Sequence, residues 1–182
     1  MSSTQVQQQN VFAIDQSHST VEFVVRHLMI SKVRGRFAQF NGEIQLAAGS
    51  DIPLAINATI EAASVDTREE QRDGHLRSAD FFDVEKYPHL KFVSRRIEGT
   101  PDDIKVYGDL TIHGVTREVV LKGEYEGRGA DPWGGQRVGY SAHTNISRKD
   151  FGLSWNAALE TGGVMVSDEV RIELNVEAVQ QK

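Results

Sequence analysis

The chain has 182 residues, 39% of them hydrophobic, a net charge of −6 from 20 basic and 26 acidic side chains, and no cysteine. That length suits one domain with a real core, and the missing thiols exclude cysteine nucleophiles, disulfides and thiolate metal sites. The acidic balance argues against nucleic acid and anionic membrane surfaces as main partners, and no apolar run approaches the roughly 18 residues of a membrane-spanning helix.

Residues 1–10, rich in glutamine and serine, are expected to form a disordered tail. They lack the basic start and apolar stretch of a signal peptide, so the expected location is the cytoplasm. Beyond them, eight stretches alternate apolar and polar residues with a period of two, which gives a strand one dry face and one wet face. The first places Val21, Phe23 and Val25 on one face, the second Phe40, Gly42, Ile44 and Leu46, the third Leu54, Ile56, Ala58 and Ile60. Segment 67–78 breaks the pattern. Asp66 or Thr67 is expected to cap a short polar surface helix over 68–76, with Glu70 completing a capping box, and Phe81 and Phe82 anchor it. Pro88 ends that helical stretch. Strands then follow through Leu90 to Ile97, Ile104 to Ile112, Val119 to Tyr125 and Val138 to Ile146. A long loop over 148–167 precedes the last strand, where Val170, Ile172, Leu174 and Val176 share a face.

This order predicts an all-β fold with one short helix, an eight-stranded antiparallel up-and-down barrel. A sandwich or jelly roll is the structural alternative. Eight strands enclose space for packed side chains or one small ligand. Apolar residues such as Phe23, Phe40, Phe92, Ile112, Tyr140 and Ile172 look alike in either case.

Candidate chemistry is sparse. The six histidines, His18, His27, His75, His89, His113 and His143, show no local metal-ligand spacing, so no metal or other cofactor is expected. A shared face could pair His113 with His143. Asp73, His75 and Asp80 have the types needed for acid–base work, but capping and anchoring the helix is the simpler role. No serine lies in a nucleophile elbow, and Gly162-Gly163 lacks the strand–helix context of a phosphate cradle.

Several spaced motifs agree in order. They include Ile14-Asp15-x-x-His18-Ser19-x-Val21-x-Phe23-x-Val25-x-His27-Leu28, then Arg72-Asp73-x-His75-Leu76-x-Ser78-x-Asp80-Phe81-Phe82-Asp83 and Tyr87-Pro88-x-x-Lys91-Phe92. Gly108-x-Leu110-Thr111-Ile112-x-Gly114-Val115-Thr116, Ser147-Arg148-x-Asp150-Phe151-Gly152 and Asp168-Glu169-Val170 follow. Over residues 11–179 the chain resembles the YceI-like family. The resemblance implies a lipocalin-like barrel holding a polyisoprenoid or isoprenoid quinone tail, without a catalytic residue set. Many members of that family are periplasmic and carry a signal peptide, and this N-terminus departs from that pattern.

On this reading the ligand-lining residues are Phe23, Val25, Phe40, Ile44, Phe92, Leu110, Ile112, Tyr140, Ile146, Ile172 and Leu174. A head group at the mouth would meet Arg26, His27, His143 or Arg148. The expected partner is a long-chain isoprenoid lipid, bound noncovalently for carriage or storage; the sequence leaves a homodimer open. The rival readings are an isomerase or cyclase acting on an apolar substrate in the same barrel, and a ligand-free stress-related interaction protein.

Overall fold

The alternating segments pair into one continuous antiparallel sheet. The computed structural model describes residues 9–156 and 165–182. Residues 1–8 of the expected tail and 157–164 of the long loop lie outside the described residues. Eleven described strands are present: β1 (Gln9–Ile14), β2 (Thr20–His27), β3 (Ser31–Phe37), β4 (Phe40–Ala47), β5 (Ala55–Glu61), β6 (Val65–Asp66), β7 (His89–Thr100), β8 (Asp103–Ile112), β9 (Val115–Ala130), β10 (Gln136–Ser147) and β11 (Glu169–Gln180). The ring runs β1-β4-β5-β7-β8-β9-β10-β11 and closes where β11 meets β1, from Phe12 opposite Gln180 to Ile14 opposite Ala178.

The other three strands prolong members of this ring. β2 continues β1 past the 3₁₀ turn Gln16–His18 and pairs further along the same β11; β3 leads into β4, and β5 leads through Ala62–Ser64 into β6. Each such pair is one bent stave, so the fold is an eight-stranded closed antiparallel barrel. Closure removes the unpaired edges that would template aggregation.

Asp15 fixes the first bend. Its carboxylate accepts from Ser17 N–H at 3.0 Å and from Arg137 Nη1 at 2.8 Å. Arg137 also reaches Glu177 at 2.9 Å and Asp131 at 3.1 Å, tying the bend to β11 and to the β9–β10 turn. These partners, Ser17 foremost and then Arg137 and His18, hold the Asp15 carboxyl well below the usual carboxylate range.

Three details differ from the sequence reading. Gln9 and Asn10 belong to β1 rather than to a tail, paired with Ala47 and Leu46. β3 is a strand whose alternation Val33, Gly35, Phe37 is hidden by the glycine; a Cβ at Gly35 would collide with the Phe23 ring, which occupies that place. The helix α1 spans Glu70–Arg77 and is capped by Glu69, whose carboxylate accepts from Gln71 N–H and Arg72 N–H. Thr67 instead donates its N–H and Oγ1 to the buried Asp73, at 2.9 and 2.6 Å, so the expected capping box does not form.

The core divides along the barrel axis. At one end Phe12, Ile44, Leu46, Val138 and Ala178 form a sealed floor. The larger cluster, including Leu90, Phe92, Ile104, Leu110, Ile112 and Leu121, occupies the other end and the wall. There α1 and the segment after β10 lie across the staves.

Candidate functional site

Above the floor the barrel is hollow. A cavity of about 570 Å³ opens between α1, the base of the β2–β3 turn and the residues Leu153, Trp155, Met165 and Val166. Burial along the strands marks it. On β4 the inward Ile44 and Leu46 are buried in the floor, whereas on β2 and β11 the inward Val21, Phe23, Ile172 and Leu174 keep partial exposure and line the cavity.

The structure places Phe23, Val25, Phe40, Phe92, Leu110, Ile112, Ile146, Ile172 and Leu174 on the cavity wall. Ile44 does not reach it: it packs in the floor against the buried cluster around Phe12. Tyr140 does not reach it either: it keeps the inward phase of β10, opposite Val176, but packs at the level of the floor cluster, where the extra residue Glu126 bulges out of the neighbouring β9. Its ring packs on Tyr125 with centroids 5.8 Å apart and its hydroxyl donates to Asp51 O at 2.7 Å. Burial pushes that phenol above its usual 10.0. Tyr140 thus helps close the floor and is spent there, away from the cavity.

Other wall residues went unassigned in the sequence. Ile14, Ile56, Ala58 and Ile60 lie on the same inward phase of their strands, so the alternation already carried the signal. Phe81, Phe82, Trp155 and Met165 come from segments outside the regular sheet, where no periodicity points inward. Phe82 packs edge-on against Phe37 at 5.7 Å, and Phe37 against Phe23 at 5.6 Å, continuing the wall from strand to loop.

Polar groups gather at the opening. Arg26, His27, Gln71, Arg72 and His75 border it. His75 Nε2 lies 2.8 Å from Asp80 Oδ2, and its ring stands edge-on to Trp155 at 4.7 Å. Arg148 lies at this end too, but its buried guanidinium is engaged by the chain itself. It donates to the carbonyls of Ser167 (2.9 Å), Leu153 (2.6 Å), Trp155 (2.8 Å) and Val166 (3.3 Å), so little donor capacity is left for a head group. Burial depresses its pKa, with Asp168 acting in the opposite sense. His143 sits on the outer face of β10 opposite Glu173 and Lys122, away from the opening. His113 packs instead on Tyr87 at 4.8 Å, so the two histidines do not pair.

Among the described residues, no three histidine, aspartate or glutamate side chains cluster around a common metal position. Asp73 and Asp80 are anchors of the α1 segment, the first to Thr67 and the second to His75. The arrangement that remains is a dry tube with a sealed floor and a polar rim. It can desolvate an apolar chain while leaving one polar end at the surface.

The sequence matches the profile of the YceI-like domain across residues 12–178. Protein YceI of Escherichia coli is 39% identical over 165 residues, covering 91% of this chain and 83% of that protein. Among solved structures, Burkholderia cenocepacia BcnA superposes with a TM-score of 0.78 at 24% identity, over 91% of this chain and 99% of that one. A polyisoprenoid binding domain from Saccharophagus degradans, implicated in plant cell wall breakdown, gives a TM-score of 0.69 at 19% identity over 93% and 98%. The last two similarities establish the shared fold.

Proposed function

The chain belongs to the YceI-like domain family, and we propose that its barrel binds a polyisoprenoid or isoprenoid quinone, tail inward, and carries or stores it without chemical change. The observation that supports this most is the 570 Å³ cavity with apolar walls in a member of this family. The name of the Saccharophagus degradans domain adds a ligand class of matching chemistry.

A prenyl tail offers almost nothing to hydrogen-bond, so its binding rests on removing hydrocarbon from water. Five carbons of one isoprene unit, at about 0.8 kcal/mol each, contribute about 4 kcal/mol before ordering costs. At about 30 Å³ per water-sized volume, the cavity holds roughly nineteen such volumes, enough for about four isoprene units. A longer tail would leave the remainder at the rim. The polar end would meet Arg26, His27, Arg72 and His75, which supply donors without a catalytic pairing deep in the tube.

Titration with prenyl alcohols of increasing length, read by Trp155 fluorescence at the mouth, tests the reading. Affinity is expected to rise with each unit up to about four and then level off. A protein indifferent to every chain length would refute it.

A further inference from the structure

The turn between β2 and β3 is built against local preference. Leu28 and Met29 both adopt left-handed backbone, with φ of 53° and 58°, closed by Ile30 N–H donating to His27 O at 3.1 Å. Two successive left-handed residues make a tight turn that favours Asn-Gly, because a Cβ is crowded there. Here the positions hold Leu and Met. The strained backbone displays Met29 at 52% and Ile30 at 84% exposure, adjacent large apolar side chains pointing to water.

The base of the same turn is basic. Arg26 stands directly opposite Lys32 in the β2–β3 register, both exposed, and like charges in opposed positions repel. Neither forms an ion pair among the described residues, whereas Arg34 takes both nearby acids, Glu22 at 2.9 Å and Glu173 at 2.7 Å. Glu169, also near this end, forms no ion pair with either cation. An apolar tip over unpaired cations is the charge and hydropathy profile that an anionic lipid surface complements.

Position joins this turn to the cavity. Leu28 N–H donates to Met165 O at 2.8 Å and His27 bridges Val166, and Met165 and Val166 both line the opening. A net charge of −6 repels the rest of the molecule from an anionic bilayer, so this basic corner would meet it first.

We propose that the Leu28-Met29-Ile30 turn is a membrane-docking tip that inserts into an anionic phospholipid bilayer and sets the cavity mouth against it. This rests on the lipid-binding reading of the cavity, and it supplies the route by which an insoluble tail enters without crossing water. Docking itself needs no cargo.

Co-sedimentation with vesicles free of prenyl lipid tests it, comparing pure phosphatidylcholine with phosphatidylcholine containing phosphatidylglycerol. The intact protein is expected to partition at least ten-fold more strongly onto the anionic vesicles, less so as salt rises. Met29→Ser with Ile30→Ser should lower partitioning at least ten-fold and Lys32→Gln about five-fold, with prenyl-alcohol binding in solution retained. Leu28→Asn with Met29→Gly should weaken docking while raising Tm, because it relieves the strained turn; a merely structural tip would not couple those changes in opposite directions. Equal partitioning of the Met29→Ser/Ile30→Ser variant, or no partitioning of the intact protein, would overturn the proposal. Vesicle binding without any prenyl-alcohol binding would leave docking standing and refute the cavity reading instead.

Discussion

Filling the tube separates a hollow barrel from a packed one. Ala58 faces inward on β5, opposite Phe92 of β7, and lies on the cavity wall. In a close-packed core, Ala58→Phe would overpack and cost about 1–3 kcal/mol or more. Here the new ring has the 570 Å³ cavity to enter, so stability should stay within about 1 kcal/mol of the parent. Ligand binding should fall instead. Six added ring carbons displace about six tail carbons, at about 0.8 kcal/mol each, for a ceiling of about 5 kcal/mol; a loss of at least 100-fold in affinity is expected. Urea denaturation gives the first quantity and a prenyl-alcohol titration the second. Trp155 at the mouth reports the titration, since Trp133 is exposed on the β9–β10 turn at the floor end. A variant that unfolds like an overpacked core, or that binds as the parent does, would refute the reasoning.

Three further outcomes are expected. Ile112→Glu places an unpaired charge at a wall position 4% exposed, and should cost several kcal/mol as well as ligand; a folded variant that still retains lipid would show the wall assignment to be wrong. Arg148→Met strips the donors from four carbonyls around the mouth and should destabilise by about 3 kcal/mol in urea melts, with faster hydrogen exchange at Leu153 and Val166; unchanged exchange there would contradict the stapling role. Asp15, whose folded-state pKa is depressed, contributes stability that is complete above its ordinary 3.8 and lost as pH falls below it; Asp15→Asn should flatten that acid limb, and identical limbs in both proteins would remove Asp15 as its source.

The barrel was legible because inward and outward residues alternate strictly on most staves, and a face that must be dry cannot slip register by one residue. The same rule placed Phe23, Leu110 and Ile172 on the inner surface. It could not tell wall from floor. Ile44 and Ile56 face each other across the β4–β5 register, yet only Ile56 lines the cavity. That distinction depends on position along the barrel axis, which periodicity does not encode. β3 was lost because Gly35 contributes no side chain to the pattern, its place being filled from β2 by Phe23. Tyr140 meets the same limit as Ile44: it points inward on β10 but at the level of the floor. Arg148 reads as a head-group contact in sequence, and only the return of the chain through Val166 and Ser167 reveals the carbonyls that engage it.

Native mass spectrometry of the purified protein, followed by organic extraction of what it holds, tests the binding claim most directly. The account predicts a noncovalent apolar adduct, released intact by solvent, with an isoprenoid tail. A ligand-free protein that also takes up no added prenyl alcohol or isoprenoid quinone would contradict it.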